Sequence, residues 1–237
     1  METTPMGART RTRHTLQDNV WKEMLDAFLE QFLSFFFPKV HADIDWSRPL
    51  VPLDKELVQM VRDSELGTRF VDKLVKVFLA NGAETWLLIH IEVQGRAEDG
   101  FDERMFVYNY RIFDRYHREV ISVAVLTDLD DDFRPGLYER QRWDCGVRFW
   151  FPVVKIVDYA KQGIQLEANL NPFALVVMAH LGATRTRDQK QRLAWKLRLV
   201  RMLYERGYNR EEVEARFRFI DWLLILPAEL EEPFRDE

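Results

Sequence analysis

Residues 71–94 read Val71-Asp72-Lys73-Leu74-Val75-Lys76-Val77-Phe78-Leu79-Ala80-Asn81-Gly82-Ala83-Glu84-Thr85-Trp86-Leu87-Leu88-Ile89-His90-Ile91-Glu92-Val93-Gln94. Two apolar runs around Asn-Gly are a β-hairpin signal, so this stretch requires a sheet. Side chains on a strand alternate between faces, and the apolar positions therefore report the register. Leu87, Ile89, Ile91 and Val93 make one apolar face, and Val71, Val75, Val77 and Leu79 its counterpart. Both sets are odd-numbered. Residues directly opposed share a face, so burying these sets together needs paired positions with an even sum. Asp72 opposite Glu92 meets that condition, with Gln94 beside Glu92. A two-residue loop at Asn81-Gly82 gives an odd sum, so the pattern predicts a three- or five-residue connection with Gly82 left-handed or bulged.

The even face then gathers Asp72, His90, Glu92 and Gln94. Two carboxylates converging on one patch repel each other and are costly to desolvate unless a cation or proton intervenes. Hard divalent cations that prefer oxygen ligands, Mg²⁺ or Mn²⁺, answer that cost. The other reading of the same spacing is the solvated side of an amphipathic hairpin. His90, inside a strand, reads as a core or supporting residue rather than a ligand.

The string Asp72…Ile89-His90-Ile91-Glu92-Val93-Gln94, followed by Phe101-Asp-Glu-Arg104-Met105-Phe-Val-Tyr108-Asn-Tyr110, resembles the Rpn/YhgA-like family of transposase-related, recombination-promoting nucleases. That family is a branch of the PD-(D/E)xK nuclease superfamily. The likeness runs through most of the chain and includes Ala42-Asp-Ile-Asp-Trp46, Leu53-Asp-Lys-Glu56-Leu, Asn171-Pro-Phe-Ala174 and Asp221-Trp222. It implies a restriction-endonuclease-like α/β fold: a small mixed sheet with an antiparallel hairpin, flanked by helices, plus a C-terminal helical subdomain. It also implies a DNA substrate and a metal held by Asp72 and Glu92. In the superfamily a Lys two residues past the Glu helps to activate water. Gln94 stands in that place here, as it does in this branch.

The substitution has a chemical consequence, because an amide donates and accepts hydrogen bonds but takes up no proton at neutral pH. Gln94 can orient water. Lowering the pKa of that water falls to the cation itself. A third acidic group in the superfamily often comes from the helix before the hairpin. Glu56 is the choice here, with Asp54 a competitor and a solvated helical Glu the alternative.

Asp102 to His117 has helical spacing, with Met105, Val107, Tyr108, Ile112, Phe113 and Tyr116 as its apolar stripe. Arg104, Arg111 and Arg115 fall at spacings of seven and four. Such a row is ordinarily a solvated surface; beside an acidic metal centre, Arg104 and Arg111 would instead hold a phosphate.

At 237 residues and 47% apolar, the chain is long enough for one sizeable core with an attached helical part. Neither a cleavable leader nor a membrane span is expected, since the richest early stretch, Phe32 to Phe37, is far too short to cross a bilayer. Cys145 is the single cysteine, which excludes an internal disulfide and makes the cytoplasm the simplest address. A net charge of −5 argues against coating nucleic acid nonspecifically. A local basic track does run through Arg185, Arg187, Lys190, Arg192, Lys196, Arg198 and Arg201. It reads as a solvated helix face or a DNA contact. The acidic Asp128-Leu-Asp-Asp-Asp132 reads as an exposed loop.

Periodicity organises the rest. Residues 1–15 look like a disordered tail, 16–165 a nuclease-like core and 166–237 a helical C-terminal subdomain. A helical pattern over Asn19 to Phe37 stops at Pro38, and Glu56 to Val61 reads as a short helix. Val120 to Leu126 is a buried strand, and strand, helix, strand in that order predicts a parallel crossover. Val147 to Val157 reads as one further strand, interrupted by Pro152 and so at an edge. Helices are expected over Phe173 to Leu181, Gln189 to Glu205 and Arg210 to Leu226, with Gly207 a stop and Asn209 an N-cap. Two functions are compatible with this pattern. One is a metal-dependent DNA endonuclease acting in recombination or transposition. The other is a catalytically weak, nucleic-acid- or protein-binding descendant of the same fold, and a homodimer is open to either.

Overall fold

The computed structural model describes the backbone of residues 6–55, 71–92, 99–186, 188–208 and 210–226. Of these, it describes the side chains outside 6–20, 71–72, 88–92 and 211–212. The fold is mixed α/β and divides into two compact units. One is 36–155; the other joins 1–35 to 156–237. The N-terminal helix thus groups with the C-terminal helices rather than with the sheet.

The sheet unit contains β1 (Val51–Pro52), β2 (Val71–Phe78), β3 (Glu84–Glu92), β4 (Val120–Leu126) and β7 (Val153–Lys155), ordered β1-β2-β3-β4-β7. β1, β2 and β3 are antiparallel, whereas β4 and β7 run parallel to β3. The hairpin turns as its parity requires. Leu79 N–H donates to Ala83 O at 2.8 Å and Gly82 N–H to Leu79 O at 2.8 Å, leaving the three-residue loop Ala80-Asn81-Gly82. Gly82 has φ +87°, the left-handed region that favours glycine, and Asn81 Oδ1 accepts from Ala83 N–H.

The crossover between β3 and β4 is α3 (Phe101–Tyr116); the preceding α2 (Pro38–Asp43) opens on Pro38. Proline in the first turn lacks only an N–H that would have no partner there. α3 lies on the even face of the hairpin: Tyr108 and Ile112 pack with Leu74 and Trp86. Its first turns, Phe101 and Met105, pack with Ala124, Leu126 and Phe151. Asn109 Nδ2 donates to Val120 O and Ser122 Oγ, pinning the helix to β4. The odd-numbered Val75, Val77, Leu87, Val123 and Val125 are buried as well. The hairpin is therefore closed on both faces where its side chains are described. Within the predicted stripe, Val107 is half-buried and Phe113 exposed, because α3 covers the sheet along the narrower line Phe101, Met105, Tyr108, Ile112.

The expected strand over Val147 to Val157 is two strands in two sheets. β6 (Cys145–Trp150) pairs with β5 (Leu137–Arg142) in a separate hairpin, and β7 begins after Pro152 at the edge of the main sheet. Proline cannot donate to a ladder, so the chain changes partner there.

The helical unit comprises α1 (Met6–Phe36), a 3-10 helix (Ile156–Lys161), α4 (Gly163–Ala168), α5 (Pro172–Arg185), α6 (Gln189–Glu205) and α7 (Arg210–Leu223). α1 begins inside the stretch expected to be disordered, and it is kinked at Phe28. Asn171 caps α5 by accepting from Phe173 N–H, and its amide donates to Gln31 O and Ser34 Oγ. Trp21 meets Phe219 edge to face at 5.1 Å, and Phe32 meets Phe173 at 5.3 Å. Gly207, φ +69°, closes α6 as expected; Asn209 and Arg187 lie outside the described residues.

Candidate functional site

The ladder places Asp72 opposite His90, with Val71 opposite Ile91. That corrects the expected pairing of Asp72 with Glu92. The paired positions still sum to an even number, as the buried odd set demands, but the loop is centred on Asn81 rather than Gly82 and sets the sum two lower. Glu92 is consequently the diagonal neighbour of Asp72 at the same parity, and His90 stands between them in register. Gln94 and Glu56 lie outside the described residues, as do the side chains of Asp72 and Glu92. Asp54, the competitor for the role of Glu56, is 3.8 Å from Lys73 Nζ, and Lys73 is buried.

The rung carrying Glu92 continues across the sheet: Glu92 pairs with Leu126 and Leu126 with Lys155. Since Leu126 lies under Phe101 and Met105, the first turns of α3 cover this end of the sheet. Arg104 sits in those turns and is 7% exposed, with its guanidinium 5.4 Å from the Phe101 ring. Arg111 is half-buried and Arg115 exposed. The three arginines do not form one equivalent cationic row: Arg104 belongs to the covered face, while the other two turn progressively toward solvent.

At the same carboxyl edge, Lys155 Nζ donates to Asp128 Oδ1 at 2.8 Å, to Phe133 O at 2.8 Å and to Asp130 O. Asp128 is fully buried, which corrects the reading of 128–132 as wholly exposed. Asp130 to Asp132 are exposed. The signal that was available is position: Asp128 comes two residues after the buried apolar end of β4, Val123 to Leu126, before the chain reaches the surface. Lys155 uses all three ammonium protons on this loop and is a clamp.

Three residues of the basic track, Arg192, Lys196 and Arg198, are engaged in structure. Lys196 is 2% exposed and paired with Asp221. Arg192 donates to Ala183 O and Thr186 O, and Arg198 to Glu167 at 2.6 Å. Arg185, Lys190 and Arg201 remain exposed. Among the described residues no group of three or more His, Cys, Asp or Glu side chains is placed to hold a metal ion, and no helix is long and apolar enough to cross a membrane. Neither a family model, nor a curated protein, nor a solved structure matches the chain.

Proposed function

We propose that the chain is a metal-dependent DNA endonuclease acting in recombination or transposition, with Asp72 and Glu92 holding Mg²⁺ or Mn²⁺. The observation that carries this reading is the coverage of the even face. α3 buries Leu74 and Trp86 on the face whose parity Asp72, His90 and Glu92 share. A solvated amphipathic hairpin would leave that face open. Acidic positions on a covered face need a compensating charge. Diagonal same-face neighbours of an antiparallel ladder stand roughly 7–8 Å apart, a span two carboxylate arms can share through one cation. The donor set, two carboxylates, suits an oxygen-preferring ion.

When bound, that ion would polarise a phosphodiester and lower the pKa of water. The chain's own residues then have limited tasks. Gln94 orients water through its amide, and Glu56 supplies a third acidic group. Arg111, half-exposed on α3, is available to a phosphate. Arg104 is too buried to meet substrate at first hand and balances the acidic set from the helix side.

The second reading, a non-cleaving descendant, draws support from the same arginine. A buried cation already stands at this end of α3 and could neutralise one carboxylate without a metal. Nicking of supercoiled plasmid in Mg²⁺ or Mn²⁺ separates the two. Cleavage lost in EDTA and in both Asp72→Ala and Glu92→Ala supports the endonuclease. Cleavage unchanged in both variants removes it, and no cleavage with any metal favours the descendant.

A further inference from the structure

The hairpin of β5 and β6 is held at its base and open at its tip. Tyr138 pairs with Phe149, and both rings pack on Phe106 of α3, Tyr138 stacked at 5.0 Å and Phe149 at 5.8 Å. Beyond that anchor the ladder runs out to Arg142 opposite Cys145, closed by the two-residue loop Trp143-Asp144. Trp143 is 84% exposed and has φ +53°. Two-residue hairpin loops take Gly, Asn or Asp at positions of positive φ, and a bulky residue there is strained by about 1–3 kcal/mol. The chain thus accepts both backbone strain and a solvated indole at one residue, a combination that folding alone does not reward.

The surroundings of Trp143 indicate what takes its ring. Arg142 lies with its guanidinium 5.3 Å from the indole centroid, and Arg140 follows two residues back on the same face of β5. Arg148 is paired with Glu139 at 3.2 Å on the opposite face, so Arg140 and Arg142 give the tip its positive charge against Asp144 alone. Trp150, 73% exposed, lies opposite Leu137 on the other face and is not part of this patch. A hairpin tip carrying an exposed aromatic ring beside cations fits a nucleobase on the ring with phosphates on the arginines. A purely apolar partner would leave those arginines desolvated at a cost. The net charge of −5 confines any such contact to a local patch.

We infer that this hairpin is a binding site for unpaired nucleotides, with Trp143 stacking on a base and Arg140 and Arg142 meeting the flanking phosphates. A base in intact duplex has both faces stacked; a single strand, a gap or a frayed end offers a free one. The inference rests on the chain acting on nucleic acid and not on cleavage, so it is read without metal.

The test is fluorescence anisotropy of the full chain in EDTA with a labelled mixed-sequence single strand, compared with the same sequence as blunt duplex. Wild type binds the single strand more tightly. Trp143→Gly and Trp143→Ala weaken that binding about 10- to 100-fold, the scale of one lost stacking contact, while Trp143→Phe stays within about threefold. Trp143→Gly also melts at a higher temperature than wild type, because glycine relieves the positive φ. Affinity and stability therefore move in opposite directions, which a misfolded variant cannot imitate. Unchanged affinity in Trp143→Gly overturns the inference. So does Trp143-dependent self-association or vesicle binding with no preference for the single strand. Metal-dependent nicking with no Trp143 effect would sink the hairpin and spare the nuclease; single-strand binding without nicking would do the reverse.

Discussion

Lys155 Nζ lies 2.8 Å from Asp128 Oδ1, with both side chains sealed from water where β7 ends and the chain leaves β4. A buried pair is weak evidence of net stability, because desolvation opposes the attraction, but removing one partner strands the other charge. Lys155→Met should therefore cost roughly 3–5 kcal/mol in chemical denaturation, with Asp128→Asn close behind. Lys155→Met combined with Asp128→Leu should recover a large part of the loss. A single-variant cost below about 1 kcal/mol, the scale of an exposed pair, would show that the clamp is solvated.

Gly182 of α5 faces Trp195 of α6 so closely that an added Cβ would fall 1.6 Å from the indole Nε1, which itself donates to Met178 O. Gly182→Ala must displace the ring and break that bond, at about 1–3 kcal/mol or more. In a Trp195→Ala background the same substitution should cost little, since neighbours couple through shared packing. Additive losses in thermal melts would contradict the contact.

The phenol of Tyr159, stacked on Phe35 at 5.4 Å, has its pKa pushed up, first by burial and then by the nearby charge of Asp158. A group whose folded pKa is raised contributes stability that is whole below its unfolded value, about 10 for tyrosine. That contribution is lost as pH rises through the folded value. Stability should fall above about pH 10, and Tyr159→Phe should flatten that limb. Denaturant midpoints taken across the alkaline range report the difference. Superimposed curves would mean that Tyr159 is solvated.

Lys196 should matter to folding and not to nucleic acid. Its buried ammonium meets Asp221, whose own side chain is more than half exposed, so Asp221→Asn should cost about 1–2 kcal/mol. The salt dependence of DNA binding should be unchanged in Lys196→Gln. A shallower salt slope would return Lys196 to the DNA-facing side of α6.

Much of the fold was legible because it rests on local rules. Parity required a loop of three or five residues with Gly82 left-handed or bulged, the apolar run around Ser122 marked β4, and strand-helix-strand order predicted the parallel crossover. The register itself was not fixed by parity: sums of 162 and 164 bury the same odd set, and only the placing of the loop, over Ala80 to Gly82 rather than one residue later, chooses between them. Tertiary contacts hid the rest. Asp128 and Lys196 belong to charge runs that look solvated until the partner, 27 residues away for Asp128 and 25 for Lys196, is brought against them. Arg104 and Arg111 share a helical row in sequence, yet only Arg104 falls under the cover of the sheet. Trp143 is the residue whose local signal was readable and is easily passed over: a two-residue loop between alternating strands with no glycine at its first position.

An ion shared by Asp72 and Glu92 is tested most directly by calorimetric titration of the metal-free chain with Mn²⁺. Wild type should bind, and Asp72→Ala and Glu92→Ala should each weaken binding by at least about tenfold, the loss that even supporting residues of metal sites produce. Failure of the wild type to bind, or binding that neither substitution changes, would contradict that sharing.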